Sequence, residues 1–399
     1  MVVRKQQEGT RDMQQIQTLN NISNVVRDIL TPDAYKIDDQ ISQPVGILVR
    51  SAKCHEMELN PELRAIARAG AGTNNLPVER CTKQGICVFN TPGANANAVM
   101  ELVFGAMLAS SRNLVEAIEW VRTIADEGAD IPALVESGKK RFLGREIAGK
   151  TLGVIGLGAI GVMVANNGYA QGMQVLGYDP FISVQHAWGL SRAVERAVSL
   201  DEMLACCDFL TIHVPLSDKT RGFINGELLK KVKRGVTLLN FARGELVDNG
   251  AVLAALTSGD VGRYITDFPS EELINQQGVT CIPHLGASTP ESEENCAIMA
   301  ARELKDFLEN GNIENSANMP NCSMSRSGAM RICIIHENAP NMIGKFTATL
   351  AARDANITNL TNRSRGDIAY TMIDIDEAIA KNIGDELEND PAVIRATVL

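Results

Sequence analysis

No stretch of the 399 residues is apolar for long enough to span a membrane, and the N-terminus has no signal-peptide core. These two absences lead us to expect a cytoplasmic protein with no membrane partner. Positive charge is also in short supply: 38 Lys and Arg stand against 48 Asp and Glu, for a formal net charge of −10 and a pI near 5.2. That balance argues against a nucleic-acid surface but leaves room for a local basic pocket around an anionic metabolite. The nine cysteines form no C-x-x-C pair and no regular framework, only the neighbours Cys206 and Cys207. Neither a zinc site nor a disulfide scaffold is supported, so reduced structural thiols and no metal are expected.

The length exceeds what one hydrophobic core serves and predicts two or three domains. Residues 1–13 are polar, Gln-rich and aperiodic, which predicts a flexible extension, with structure beginning near Ile16. The most informative stretch is 150–180. An apolar run of strand length, 151–155, breaks into Gly156, Leu157, Gly158, Ala159, Ile160 and Gly161 before a helix-like segment from Val162. Gly156 permits a tight turn, Gly158 leaves no side chain between backbone and a pyrophosphate, and Gly161 lets the helix approach the strand. The phosphates would sit on a helix N-terminus. A second apolar run, 174–178, ends in Asp179, where a dinucleotide fold places the acid that holds the adenosine ribose hydroxyls. That acid would repel a 2′-phosphate, so NAD is expected as cofactor rather than NADP. The competing reading is a glycine-rich structural turn with an incidental Asp.

Elsewhere strand-like runs alternate with helical ones, and each strand ends in a polar or glycine residue. Residues 45–49 run into Arg50 and Ser51, and 64–69 run into Gly70, Ala71 and Gly72. A helix at 77–84, a strand at 86–90, a loop carrying Asn95 and a long apolar helix at 99–109 complete a first parallel α/β unit. Ligands of open α/β sheets bind at the C-terminal strand edge, which makes Arg50, Ser51 and Gly72 candidates for an anionic substrate. A helical stretch at 114–126 precedes Lys139, Lys140 and Arg141, read as a solvated surface or a phosphate-attracting edge. After Asp179 come strands at 209–213, 237–240, 264–266 and 280–283, ending near Pro215, Arg243, Asp267 and His284.

Three groups near these ends match hydroxy-acid chemistry. The planar guanidinium of Arg243 suits a carboxylate, and His284 can take a hydroxyl proton. Glu271 can bond the other ring nitrogen, fixing the tautomer and favouring the imidazolium. Taken singly, each also has an ordinary structural reading.

Together the segments VRSAK, RAGAGTNN, FNTPGANANAVMELV, GVIGLGAIG, TIHVPLSDKT, NFARGELVD, TDFPSEE and CIPHLGAST resemble the D-isomer-specific 2-hydroxyacid dehydrogenases along nearly all of the first 310 residues. The resemblance implies a catalytic set of Arg243, Glu271 and His284. It implies NAD contacts from Gly156, Gly158, Ala159, Ile160, Gly161, Asp179, His213, Val214, Pro215, Thr220, Ala242, Asp267 and Gly286, and substrate contacts from Arg50, Ser51, Gly72 and Asn95. The acidic loop lacks the usual aliphatic residue between Asp267 and Phe268, which leaves Glu271 or Glu272 to face the histidine, with the FPSE order favouring Glu271. The implied architecture is α/β, two doubly wound parallel-sheet domains: a substrate-binding domain at 1–98 and 288–314 and a Rossmann NAD-binding domain at 99–287. Hinges are expected near Ala98 and Ser288.

Residues 315–328 have a linker composition, and 329–399 read as a separate α+β domain of βαββαβ order: strand 331–335, helix from Met342, hairpin 357–363 and 368–375, helix 377–388, strand 393–398. That order resembles the ACT amino-acid-sensing domain. His336, Asn338 and Asn356 match effector-binding positions, implying L-serine as an effector, while Asn341 stands where a glycine is usual. The tail favours NAD-dependent oxidation of a small phosphorylated hydroxy acid, D-3-phosphoglycerate, to its keto acid on the route to L-serine, by a homodimer or homotetramer. The alternatives are a dehydrogenase of unphosphorylated acids such as glyoxylate or hydroxypyruvate, and a non-catalytic NAD(H)-sensing protein.

Overall fold

The computed structural model describes residues 13–380 and 382–399; the expected N-terminal extension lies, but for Met13, outside the described residues. In chain order the first elements are β1 (Gln14–Leu19), β2 (Tyr35–Asp38), β3 (Gly46–Val49), β4 (Ala65–Arg68), α1 (Val78–Lys83) and β5 (Cys87–Asn90). Their strands form one parallel sheet in the order β2-β1-β3-β4-β5. β3 is buried along its whole length, as expected of a parallel strand covered on both faces. The sequence reading named neither β1 nor β2, because QQIQTL and YKID are too polar to show a strand pattern.

The second group runs α2 (Ala96–Ser111), α3 (Leu114–Thr123), α4 (Ile131–Gly138), β6 (Thr151–Ile155), α5 (Ala159–Ala170), β7 (Gln174–Tyr178), α6 (Val184–Gly189), β8 (Glu195–Arg196) and α7 (Leu200–Cys206). It continues with β9 (Phe209–Ile212), α8 (Gly226–Leu229), β10 (Val236–Asn240), α9 (Asn249–Ser258), β11 (Val261–Thr266) and β12 (Val279–Cys281). These seven strands form a parallel sheet in the order β12-β11-β10-β9-β6-β7-β8. The order reverses between β6 and β9, so the crevice for a ligand opens beyond their C-terminal ends. Val99, Met100, Val103, Phe104 and Met107 put one face of α2 into the core of this unit. α5 approaches closely as well, since a Cβ on Gly168 would stand 2.7 Å from Leu152 Cδ2. Among the described residues no single helix is long and apolar enough to cross a membrane; α2 and α3 together pass by length and composition only.

The chain divides into two compact units, one comprising residues up to Ala94 and from Glu293 onward, the other Asn95–Ser292. In the first, α10 (Pro290–Asn310) lays Cys296, Ala297, Ala300, Ala301, Leu304, Phe307 and Leu308 into the core beneath β1, β3, β4 and β5. Residues 315–328, linker-like in composition, are held down: the Asn318 side chain accepts from Val88 N (2.9 Å) and donates to Ile86 O (2.9 Å), while Met319 is fully buried.

The tail contains β13 (Met330–Glu337), α11 (Met342–Ala351), β14 (Ile357–Arg365), β15 (Ile368–Ile375), α12 (Ile383–Glu388) and β16 (Val393–Val398). The βαββαβ order builds an antiparallel sheet, β14-β15-β13-β16. α12 is shorter than the helix expected at 377–388. Ile332, Ile334, Phe346, Leu350 and Ile373 form a core between the sheet and its helices. The alternate residues Cys333, Ile335, Tyr370 and Met372 belong to the same core as β1, β4, β5 and α10. The tail, read from the sequence as set apart, thus shares a hydrophobic core with the first domain. A fully buried bidentate ion pair, Arg331 to Asp374 at 2.6 and 2.8 Å, ties β13 to β15, and Arg331 also donates to Asn310 O at the end of α10 (2.8 Å).

Candidate active site

At the reversal of the second sheet the backbone shows why each glycine is required. Gly156 has φ +89°, and a Cβ there would lie 2.7 Å from His213 O. A Cβ on Gly161 would stand 1.9 Å from Gly156 O, so α5 can close onto the turn only with a hydrogen at that position. Gly158 differs: its backbone is extended (φ −75°, ψ −166°), and a Cβ would meet nothing within 4 Å. It faces open space at the start of α5, beside Ala159 and Ile160. Asp179 closes the other side, its carboxylate accepting from Leu157 N and Phe181 N, both at 2.8 Å. Across the crevice, His213 shares a hydrogen bond with Thr211 Oγ1 (3.0 Å) while its Nδ1 is buried without a partner. Burial pushes its pKa down to about 3, so the ring stays neutral. Thr220 Oγ1 donates to Pro215 O (2.7 Å) and holds the loop that follows Val214.

The polar strand ends lie beside one another because β10, β11 and β12 are adjacent and parallel. Asn240, fully buried at the end of β10, donates to Arg243 O (2.9 Å) and accepts from Ala242 N (3.2 Å), shaping the turn that presents the arginine. Asp267, after β11, is 1 % exposed, and among the described residues neither carboxylate oxygen has a hydrogen-bond partner of good geometry. Burial raises its pKa; the charges of His284 and Arg243 and the Gly286 amide oppose that shift without cancelling it. A Cβ on Gly286 would lie 3.5 Å from Asp267 Oδ2, and the ring of His284 packs on Phe268 with centroids 4.8 Å apart.

Arg243, Asp267, Gly286 and His284 are therefore brought together. Glu271 is exposed, and among the described residues no hydrogen bond or ion pair joins it to His284. Its neighbour Glu272 is engaged elsewhere, accepting from Asn249 Nδ2 at 3.3 Å. Asn240 and Phe268 were not singled out in the sequence, although NFARG and TDFPSEE contain them. Their buried polar and aromatic roles become visible only with the turn geometry.

These features suit a nicotinamide dinucleotide: an open approach to the amides at Gly158, an acid at the end of β7, and the buried acceptor pair of Asp267, which an amide donor would satisfy. Comparison with known proteins agrees. Residues 104–286 match the D-isomer specific 2-hydroxyacid dehydrogenase, NAD binding domain, family. A D-3-phosphoglycerate dehydrogenase of Methanocaldococcus jannaschii is 37% identical over 281 residues, 69% of this chain and 51% of that protein. The Synechocystis protein of the same description is 32% identical over 347 residues, 84% of this chain and 59% of that protein. Residues 104–286 thus belong to the NAD-binding domain family of the D-isomer specific 2-hydroxyacid dehydrogenases. A solved NAD+-bound 3-phosphoglycerate dehydrogenase from Entamoeba histolytica superposes with a TM-score of 0.59 at 27% identity, covering 77% of this chain and 99% of that one. The chain spans about half the length of the M. jannaschii protein and somewhat more of the Synechocystis one. NAD is the cofactor of this dehydrogenase domain.

In the first unit, the candidate substrate residues Arg50, Ser51 and Gly72 occupy the C-terminal edge of its sheet. Arg50 pairs with Glu293 (2.6 Å), and the Ser51 amide donates to Asn20 Oδ1 (3.2 Å), Asn20 itself being left-handed at φ +69°. Arg68, absent from the sequence reading, donates from Nη1 to Gly72 O (2.6 Å) and from Nε to Arg50 O (3.0 Å), bracing the edge. In the second unit, Asn95 Oδ1 at the start of α2 is buried without a hydrogen-bond partner. Two members of the cationic run are engaged locally: Lys139 pairs with Glu136, and Arg141 lies 4.7 Å over the Trp120 ring.

The tail separates its three effector candidates. Asn338 and Asn356 are exposed, their amides donating to Gly366 O (3.1 Å) and Asp376 Oδ2 (2.8 Å). His336 is 2 % exposed, with Nδ1 on Glu337 O (2.7 Å), Nε2 on Thr371 Oγ1 (2.9 Å) and its ring against Phe346. Both nitrogens are engaged inside the tail, so an effector contact from His336 is corrected to a structural role. Asn341 has φ +64°, a conformation asparagine tolerates, so the turn into α11 forms without the usual glycine.

Proposed function

We propose that this chain oxidises D-3-phosphoglycerate to 3-phosphohydroxypyruvate with NAD, on the route to L-serine. The observation that carries the reading is the cluster of Arg243, buried Asp267 and His284 at neighbouring strand ends. The shared description of the relatives above supports the choice of substrate. The Arg243 guanidinium grips the substrate carboxylate with two parallel donors and so fixes the 2-hydroxyl near the imidazole. When bound, the nicotinamide ring supplies the hydride acceptor. As the C2 hydride leaves, a ring nitrogen of His284 takes the hydroxyl proton, and the C–O bond becomes a carbonyl. Glu271, not bonded to His284 as it stands, would reach the ring's other nitrogen and favour the imidazolium, while Asp267 would hold an amide donor of the cofactor. Arg50, Ser51, Gly72 and Asn95 contact the substrate's anionic groups. NADH oxidation by the full chain against a panel of keto acids tests this reading. The highest kcat/KM is expected for phosphohydroxypyruvate; a preference for glyoxylate or hydroxypyruvate would move the chain elsewhere in the family, and no turnover on any of them would favour a binding protein.

The same proposal extends to regulation and assembly. The tail serves as an ACT-type sensor in which Asn338 and Asn356 receive the ammonium group of L-serine near the start of α11. The protein acts in the cytoplasm as a homodimer or homotetramer, consistent with the half-exposed Leu114, Val115, Ile118 and Val121 along α3. L-Serine is expected to bind in calorimetry and slow turnover, and the Asn338→Ala and Asn356→Ala changes to abolish both. Heat of binding that survives those changes would move the effector site elsewhere.

A further inference from the structure

Where the tail sheet meets the first domain lies a cavity of about 10 Å³ that the dehydrogenase chemistry does not use, with Arg64, Arg395, Phe307, Cys333 and Tyr370 among its lining residues. Two guanidinium groups line it. Arg64, just before β4, lies 5.8 Å over the ring of Phe307, and its Nε is shielded from solvent without any hydrogen-bond partner. Arg395, on β16, donates to the carbonyls of Leu63 and Pro61, which orient it, while the Glu388 and Glu62 carboxylates act on its charge from outside the cavity lining. Among the described residues no carboxylate lines the cavity itself. The remaining titratable groups cannot supply a negative charge: burial pushes Cys333 up to about 11 and raises Tyr370 and neighbouring Cys87 further. Burial lowers the pKa of the Arg64 guanidinium, with Cys333 and Tyr370 acting against that shift and the Arg395 charge adding to it.

A guanidinium with an unpartnered, desolvated nitrogen facing a second cation is costly unless something of opposite charge joins it. A space of this size holds one water-sized body. We propose that a single halide-sized anion, of the chloride class, binds between Arg64 and Arg395 and holds the tail sheet docked on the first domain. Two contacts exclude a larger oxyanion: Tyr370 Oη is committed to Gly311 O at 2.6 Å, and a Cβ on Gly311 would already lie 2.3 Å from Cys333 Sγ. The site is thus narrowed from the α10 side.

The full chain would be melted at fixed ionic strength while sodium chloride replaces sodium gluconate, whose anion is too large for the cavity. A saturable rise of about 2–4 °C is expected, as for a ligand specific to the folded state. Arg64→Met, which keeps the apolar stem and removes the charge, should abolish the chloride dependence. Equal melting in the two salts would overturn the proposal, as would a chloride response that persists in Arg64→Met. If that variant does not fold, crystals of the unaltered chain soaked in bromide decide: an anomalous peak between the two guanidinium groups supports the site, and its absence, with water alone there, refutes it.

Discussion

Gly158 and Gly161 stand three residues apart in one loop, yet the geometry predicts opposite consequences for the same added methyl group. At Gly158 the extended backbone accepts an L-residue and the Cβ meets no atom within 4 Å, so Gly158→Ala should fold as well as the parent. It should even gain about 0.4–1 kcal/mol from the less flexible unfolded chain. The methyl would project into the space assigned to the cofactor's phosphates. Crowding there should cost about 1–3 kcal/mol of NADH binding, roughly a 5- to 150-fold rise in Kd. At Gly161 the Cβ would sit 1.9 Å from Gly156 O, a backbone atom that cannot move without opening the turn. Gly161→Ala should therefore lose stability at or beyond the upper end of that range, about 3 kcal/mol, and the melting temperature should fall by several degrees. Fluorescence titration of NADH together with thermal melts separates the two effects. A Gly158→Ala protein that melts normally and binds NADH with the parent affinity would refute the placement of the phosphates and leave the loop a structural turn.

Further expectations concern the chemistry and one half-buried acid. His284→Ala should lower turnover by about 10²- to 10⁴-fold while NADH still binds, because the imidazole handles the proton and the dinucleotide is held by other residues; near-normal turnover would remove His284 from the mechanism. Arg243→Lys should fail despite the retained charge, since an ammonium cannot form the two parallel bonds, and normal KM and kcat in that variant would relieve Arg243 of its role. Glu303 on α10 is half-buried beside Asn315, with one oxygen shielded and unpartnered among the described residues, and burial raises its pKa from 4.5 to about 8. The folded state takes up a proton that the unfolded state lacks between those values, so its contribution is fully present below pH 4.5 and is lost as pH rises through about 8. The loss is bounded at about 5 kcal/mol and should be smaller where the carboxyl reaches solvent. Glu303→Gln should flatten the decline of urea-unfolding stability between pH 5 and 8.5; an undiminished slope would assign the decline to another group.

The parts of the molecule that were legible are those whose signal is local. Gly156 announces its positive φ and Gly161 its close approach because no other residue suits either position, and the apolar runs ending in Asp179 or Asp267 mark strands together with their ligand edge. What escaped depends on partners distant in sequence. Arg68 reads as the end of an apolar run, and only the positions of Gly72 O and Arg50 O make it a brace. His336 has the residue type of a ligand-binding group, but Thr371, on a strand 35 residues away, takes its second nitrogen. The docking of the tail left a trace that could have been read: β13 is apolar at consecutive positions, Ile332 to Ile335, whereas a strand with one face in solvent alternates.

That two-sided burial bears on how an effector could act. A sensor domain joined only by a linker transmits its state through subunit contacts. Here β13 and β15 share a core with the first domain, and the end of α10 is bonded to both. Arg331 donates to Asn310 O at 2.8 Å, and Tyr370 donates to Gly311 O at 2.6 Å. Arg331 is in turn locked to Asp374, and all three of these residues are fully buried. A serine held by Asn338, directly after β13, would bias the strand that carries Arg331, and through Asn310 the helix that carries Glu293, the partner of Arg50. Each step is a hydrogen bond, an ion pair or a continuous helix within one compact unit, so an effector bound at Asn338 would have a route to Arg50 that needs no second subunit.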